Sequence, residues 1–232
     1  MPGLFFASGV AKTGGRVTSL TLFPDQSLST LFFEEQASSH GFQAVAGIDE
    51  AGRGPLAGPV VAAAVILPDS FALPGLTDSK KLSEKQREGF YPEIRKQARA
   101  VGVGVASAAE IDRINILQAT LLAMRRAVHR LPLAADYLLI DGITPLPTLL
   151  PQQTLKKGDS RSLSIAAASV IAKVIRDRIM VAVDRQFPGY GFAGHKGYGT
   201  ALHRQLIAEM GPVKPHRKSF AGVREYLGRG NE

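Results

Sequence analysis

The sequence predicts an α/β fold: a mixed five-stranded sheet flanked by helices, with a small helical C-terminal part. Three observations carry this expectation. Short apolar runs of strand length recur at 44–49, 60–67, 101–106 and 137–140, with a more polar fifth strand expected over 148–156. Segments with helix-capping signatures stand between them. A long stretch, 162–187, carries Ile171, Val174, Ile175, Ile179 and Val183 on one stripe and sets Lys173, Arg176, Asp177 and Arg178 elsewhere. At 232 residues, without an internal repeat or a second apolar core, the chain suits one domain.

Taken in order, residues 1–27 are rich in Gly, Ser and Thr and lack the continuous apolar core of a secretory leader. They read as a poorly ordered extension, or as the product of an upstream start codon. The catalytic domain is then expected over 28–232. A short helix at 28–40 is expected to carry Leu31, Phe32 and Glu35 into the domain. The run at 60–67 is unbroken, so it reads as a strand buried on both faces. Ser83 with Gln86, and Ser107 with Glu110, have capping-box spacing and open helices to about 99 and 129. The second of these places Ile111, Ile114, Leu117, Leu121, Leu122 and Val128 on a helical period. The strand at 137–140 delivers Asp141, and the stretch 158–160 leads into the long helix. From 189 the chain is rich in glycine and basic residues around one short helix near 200–210.

Composition narrows the function. No run is long and apolar enough to span a bilayer. There is no cysteine, which excludes disulfides, thiolate metal sites and a cysteine nucleophile, and fits a reducing cytoplasm. Neither a GxxxxGK[ST] loop nor a strand–GxGxxG–helix unit is present. Lys plus Arg number 28 against 20 for Asp plus Glu, a net charge of +8. That excess, concentrated after residue 156, points to a polyanion, and nucleic acid is the commonest one.

The chain is organised around GIDEAGRGPLAGP at 47–59. Asp49 and Glu50 lie between two strands, with glycines at 47, 52, 54 and 58 around them. Glycine permits positive φ and close approach of a ligand to backbone N–H groups. Asp141 closes the 137–140 strand, and Asp159 precedes the long helix, where it is either a cap or a site residue. Carboxylates alone select hard cations such as Mg²⁺ or Mn²⁺. Two such ions about 4 Å apart stabilise both oxygens of an in-line phosphoryl displacement. Neighbouring strand residues point to opposite faces. The expectation is therefore that the strand ends at Asp49 and the glycine turn swings Glu50 round.

GIDEAGRGPLAGPVVAAAVIL, DSKKLS, EIDRINILQATLLAMRRAV, LLIDG, KGDSRSLSIAAASVIAKVIRDRIM and GYGFAGHKGYGT, spread over about 44–220, resemble the motif series of the ribonuclease HII family. The resemblance implies a ribonuclease-H-like fold with two divalent ions, Mn²⁺ or Mg²⁺, in the active complex. It implies hydrolysis of the RNA strand of RNA–DNA hybrids, and incision 5′ of single ribonucleotides in duplex DNA with 3′-hydroxyl and 5′-phosphate products. The family's four acids map onto Asp49, Glu50, Asp141 and Asp159, as catalytic residues and metal ligands. Its Gly-Arg-Gly triplet is Gly52, Arg53 and Gly54, its Asp-Ser-Lys lysine is Lys80, and its junction-sensing tyrosine is Tyr198.

Physical roles follow from that mapping. The 2′-hydroxyl distinguishes RNA from DNA, and backbone at 52–54 reaches it because no side chain intervenes. Tyr198 would pack on the neighbouring deoxyribose, while Arg53 and Lys80 hold phosphates or are simply surface bases. Lys173, Arg176 and Arg178 either widen the basic footprint or form a solvated helix face. His195, His203 and His216 are candidate acid–base groups, read here as structural or phosphate-contacting. The expected enzyme is monomeric. Its rival is a non-catalytic nucleic-acid-binding module whose acids only cap and solvate.

Overall fold

The computed structural model describes residues 30–228, so the extension expected at 1–27 lies outside the described residues. In order come α1 (Phe32–Ser39), β1 (Val45–Ala51), β2 (Val60–Ile66), α2 (Glu84–Gln97), β3 (Ala100–Ala106), α3 (Ala108–His129), β4 (Tyr137–Asp141) and β5 (Gln152–Leu155). A 3₁₀ turn (Gly158–Ser160) leads into α4 (Leu163–Gln186), followed by α5 (Phe192–His195) and α6 (Ala201–Met210). The strands form one five-stranded sheet in the order β3-β2-β1-β4-β5. β1, β2 and β3 are joined antiparallel, whereas β4 runs parallel to β1 and β5 parallel to β4. The mixed sheet flanked by helices is as the sequence predicts.

β2 shows why its unbroken apolar run is needed. Val60, Ala62, Ala64 and Ile66 face a core shared with Ala119, Ala123, Met124 and Ala127 of α3. Ala63 and Val65 face a second core built with Ile94 of α2 and residues 166–172 of α4. α4 lies close on β1 because Gly47 has no side chain: a Cβ there would stand 2.2 Å from the Ser164 carbonyl carbon. On the outer strand β3, the open carbonyls of Val105 and Val103 accept from Arg126 (2.7 Å) and Arg130 (3.0 Å), which covers the edge. Both capping boxes form with side chain and backbone reciprocated.

Three expectations are corrected. In α1, Phe32 and Glu35 are exposed and Glu34 turns inward instead. One Glu34 carboxylate oxygen accepts from Ser162 Oγ (2.6 Å), Ser164 N (2.9 Å) and Ser164 Oγ (2.5 Å). These bonds join α1 to the start of α4 more firmly than the apolar contact predicted. α3 is not one continuous helix: Asn115 takes φ 65°, ψ 168°, and its side chain caps a second helix by accepting from Gln118 N at 3.1 Å. The restart shifts the period, leaving Leu117 exposed while Ala119, Ala123 and Ala127 are fully buried. In α4, Arg176 and Asp177 are buried rather than solvated, because this central helix is covered on several sides.

Candidate active site

The two central parallel strands bring two acids together. The register pairs Ile48 with Ile140, so Asp49 and Asp141 follow side by side at the C-terminal ends of β1 and β4. Hydrogen-bonded strands lie about 4.8 Å apart. Ile48 and Ile140 belong to the core on the α3 side, and alternation turns Asp49 and Asp141 toward α4. Asp141 Oδ1 accepts from Gly158 N at 2.7 Å, which fastens the strand end to the turn carrying Asp159. Asp49 and Asp159 are both buried, at 4% and 5% exposure. Asp159 is therefore no solvated cap.

Glu50 is placed differently from expectation. β1 does not end at Asp49; it pairs with β2 through Glu50 and Ala51. Glu50 consequently leaves the opposite face from Asp49. Near the strand end it still feels the charge of Asp141 and meets Arg53 at 3.4 Å. A glycine turn is not what brings it to the site; its position at the last residues of the central strand is.

The acids repel one another. Burial, then Glu50 and Asp141, hold the Asp49 carboxyl well above its usual range. Burial raises Glu50, and Asp141 adds to it against the opposing pull of Arg53 and Lys80. Burial, Asp141 and Asp78 raise Asp159 to about 6. The Lys80 ammonium, predicted on a phosphate, stands within reach of Asp49, Asp159, Asp78 and Asp141. Burial works against its charge, yet these carboxylates outweigh it and its pKa is raised.

The donor set fits a hard divalent cation: it is all carboxylate and mutually repelling, with Asp49 and Asp159 buried and Glu50 and Asp141 half-buried. Among the described residues no three Asp, Glu or His side chains already converge on an ion-sized point. Asp49 and Asp141 each direct one oxygen at a backbone N–H, 2.7 Å away in both cases. The second oxygen of each carboxylate is left for an ion.

The glycine loop flanks this rim. Gly52 has φ +100°, and a Cβ on it would lie 2.0 Å from Arg176 Nε, so no other residue fits. Arg53 and Gly54 are exposed. Tyr198, 43% exposed, presents its ring above Arg176 (5.7 Å from the guanidinium carbon) and Lys173 (6.0 Å). The three histidines stand behind it as hydrogen-bonded partners. His203 Nδ1 lies 2.8 Å from Tyr198 O, its Nε2 lies 3.0 Å from His216 Nε2, and His195 Nδ1 accepts from Gly197 N at 3.1 Å. Burial lowers His203 and His216 to about 4, so both are neutral near pH 7.

Sequence reasoning missed three residues at this site, Asp78, Ser169 and Arg217, and gave a fourth, Arg176, a different part. Asp78 stands by Asp159 and helps raise its carboxyl, while Ser169, whose hydroxyl donates to Ser79 Oγ (2.7 Å), stands by Asp49 and acts to lower its carboxyl. Both lie in motifs already singled out, next to predicted residues. Arg176 and Arg217 hold the glycine loop from beneath. Arg176 lies in one of the motifs above, where it reads as part of a basic footprint or a solvated face; no local signal marks its burial.

The ribonuclease HII family profile matches residues 46–223. The ribonuclease HII of Syntrophotalea carbinolica is 66% identical over 208 residues, covering 90% of this chain and 100% of that protein. That of Geobacter metallireducens is 62% identical over 209 residues, covering 90% and 98%. Among solved structures, the chain resembles ribonuclease H2 from Pyrococcus horikoshii in fold, with TM-score 0.67 at 24% identity over 81% of this chain and 98% of that one. It also resembles a ribonuclease HII from Archaeoglobus fulgidus solved in complex with PCNA, with TM-score 0.66 at 30% identity over 77% and 96%. With the profile and the two bacterial relatives agreeing over most of its length, this chain belongs to the ribonuclease HII family of metal-dependent type 2 ribonucleases H.

Proposed function

We propose that this endoribonuclease hydrolyses the RNA strand of RNA–DNA hybrids and also incises on the 5′ side of a single ribonucleotide within duplex DNA. Its products carry 3′-hydroxyl and 5′-phosphate ends, and its role is ribonucleotide removal from DNA, as a cytoplasmic monomer. Asp49, Glu50, Asp141 and Asp159 are the residues that would hold two divalent ions, Mg²⁺ or Mn²⁺. When bound, such ions supply Lewis-acid stabilisation of the charge that develops on the phosphate.

The observation that carries this reading is that Asp49 and Asp141 directly follow the paired Ile48 and Ile140 of adjacent parallel strands, with the buried Asp159 next to Gly158, which donates to Asp141. The chain's other residues divide the remaining work. Backbone of the Gly52–Gly54 segment reaches the 2′-hydroxyl from its exposed part, Arg53 and Gly54, where the glycine has no side chain to intervene. Lys80 draws phosphate toward the acids and offsets their charge. Tyr198 offers an exposed ring to the deoxyribose next to the ribonucleotide. The neutral His203 and His216 are engaged with one another, so they support the loop rather than move protons.

The deciding experiment is cut mapping on a duplex containing one ribonucleotide, with Mg²⁺ or Mn²⁺. A single nick 5′ of the ribonucleotide is expected. A mobility shift without a nick would identify a binding module, and equal cutting of an all-DNA duplex would identify a general nuclease.

A further inference from the structure

Two fully buried guanidinium groups lie under the glycine loop, and backbone carbonyls are the hydrogen-bond partners of both. Arg217 donates through Nε to Gly58 O (3.0 Å), through Nη1 to Arg53 O (2.8 Å), and through Nη2 to Gly52 O (2.5 Å) and Pro59 O (3.4 Å). Arg176 donates through Nε to Pro59 O (3.0 Å), through Nη2 to Ala57 O (3.2 Å) and through Nη1 to Lys196 O (3.0 Å). Asp177 acts on Arg176 and Asp112 on Arg217 only at a distance, and a buried cation held that way is expensive unless its donors are met. Here the fork geometry of arginine meets carbonyls from two separate segments at once.

Arg176 is the link between those segments. Its Nε and Nη2 hold the far end of the 52–59 loop. Its Nη1 holds Lys196 O, two residues before Tyr198, and its guanidinium carbon lies 5.7 Å from the centre of the Tyr198 ring. Loop backbone hydrogen bonds run the same way, from Leu56 N (2.8 Å) and Ala57 N (3.3 Å) to Gly197 O. Gly52 touches Arg176 so closely that a Cβ would overlap its Nε.

We infer that Arg176 is a positioning residue for substrate selection: it fixes the spacing between the glycine loop that reads the ribose and the tyrosine that reads the next sugar. Arg217 pins the glycine-loop side of the same device. The inference rests on the roles given above to Gly52–Gly54 and Tyr198. Lysine at 176 keeps the charge but loses the fork, so it cannot hold Pro59, Ala57 and Lys196 together. The substrate that needs both readers in register is the lone ribonucleotide in DNA. A long hybrid offers a ribose at every step and tolerates a displaced tyrosine.

The test compares Arg176→Lys, Arg176→Gln, Tyr198→Ala and the double variant Arg176→Lys/Tyr198→Ala on a lone-ribonucleotide duplex and on a long hybrid. The measured quantities are kcat and KM, at a temperature where circular dichroism shows each protein folded. A misplacement of about 1 Å can cost on the order of a hundredfold. Arg176→Lys is expected to lower kcat/KM on the lone ribonucleotide by roughly ten- to a hundredfold, and on the hybrid far less. In the double variant the arginine change adds little to the loss from Tyr198→Ala. Arg176→Gln gives the same pattern should the lysine variant fail to fold. Equal losses on both substrates, or full additivity with a selective Tyr198→Ala, overturn the inference while leaving the tyrosine reading intact. If Tyr198→Ala is itself unselective, the tyrosine reading fails and the inference falls with it.

Discussion

The rim of acids and the cradle beneath the glycine loop bury charge in opposite ways. At the rim, Asp49, Glu50 and Asp159 are raised by burial and by one another, with Lys80 as partial relief. In the cradle, burial lowers Arg217 to about 9 and His203 and His216 to about 4. There the polar atoms have partners: guanidinium on carbonyl, imidazole on imidazole. Unrelieved repulsion stores affinity for a cation, whereas satisfied hydrogen bonds store shape. Under the proposed function, one region carries the chemistry and the other positions the substrate.

The largest effect should come from the rim. Under the proposed mechanism Asp49→Asn removes one donor and one charge from the site that would hold the ions, and cleavage should fall by about a thousandfold or more. Hybrid binding, measured by mobility shift in Mg²⁺, should survive, because a negative charge has been taken away from a polyanion's site. Retained cleavage would remove Asp49 from the chemistry. In the cradle the corresponding change is structural. Arg217→Met strands the carbonyls of Gly52, Arg53 and Gly58, each buried acceptor costing about 1–3 kcal/mol. A net loss of about 3 kcal/mol lowers Tm by roughly 6–12 °C for a chain of this size. Asp49→Asn, by contrast, should raise Tm in metal-free buffer. If both variants moved Tm the same way, the contrast between the regions would be lost.

Tyr198→Ala tests where the two regions meet. It leaves the acids untouched, so cleavage of a long hybrid should change by no more than a few fold. Incision at a lone ribonucleotide should fall about tenfold, in keeping with roughly 1–3 kcal/mol for an aromatic ring stacked on a nucleotide. Equal losses on the two substrates would count against the junction role.

The rim was legible in the sequence because acids at strand ends and glycines around them are local patterns. Asp49 and Asp141 needed only the strand assignments to be placed, whereas Asp159 also needed the Gly158 bond to Asp141. Glu50 shows the limit: the strand's true end at Ala51 is set by pairing with β2, which no window around Glu50 contains. The cradle was hidden for the same reason. Arg176 looks solvated beside Lys173, Asp177 and Arg178, and its burial depends on a loop 117 residues earlier. Asn115 broke a helical period that read as continuous because its φ of 65° is rare for a residue other than glycine. Glu34 was placed by serines 128 and 130 residues later in the chain.

The smallest predicted effect is a difference in slope. Asp159 has its carboxyl raised from 3.8 to about 6, so the folded protein holds that proton more tightly than the unfolded chain. Its ionisation destabilises the fold above pH 6, and this cost fades as pH falls toward the unfolded value. His203 and His216 are lowered from 6.5 to about 4, so below pH 6.5 the unfolded chain gains protons that the fold refuses. Their contribution therefore declines with acid over that window, until the folded groups titrate near 4. Between pH 6 and 4 the regions oppose each other, each fully titrating group contributing at most about 1.4 kcal/mol per pH unit. Urea denaturation of metal-free protein at pH 7.5, 6 and 5 reads the balance. Asp159→Asn should lose stability more steeply than wild type as pH falls from 6 to 5, and saturating Mg²⁺ should steepen the wild-type curve likewise. His216→Gln should flatten it, whatever it does to stability at pH 7.5. An unchanged slope in Asp159→Asn would mean that the acid is not held protonated by its neighbours, and the opposition between rim and cradle would then be one of structure alone.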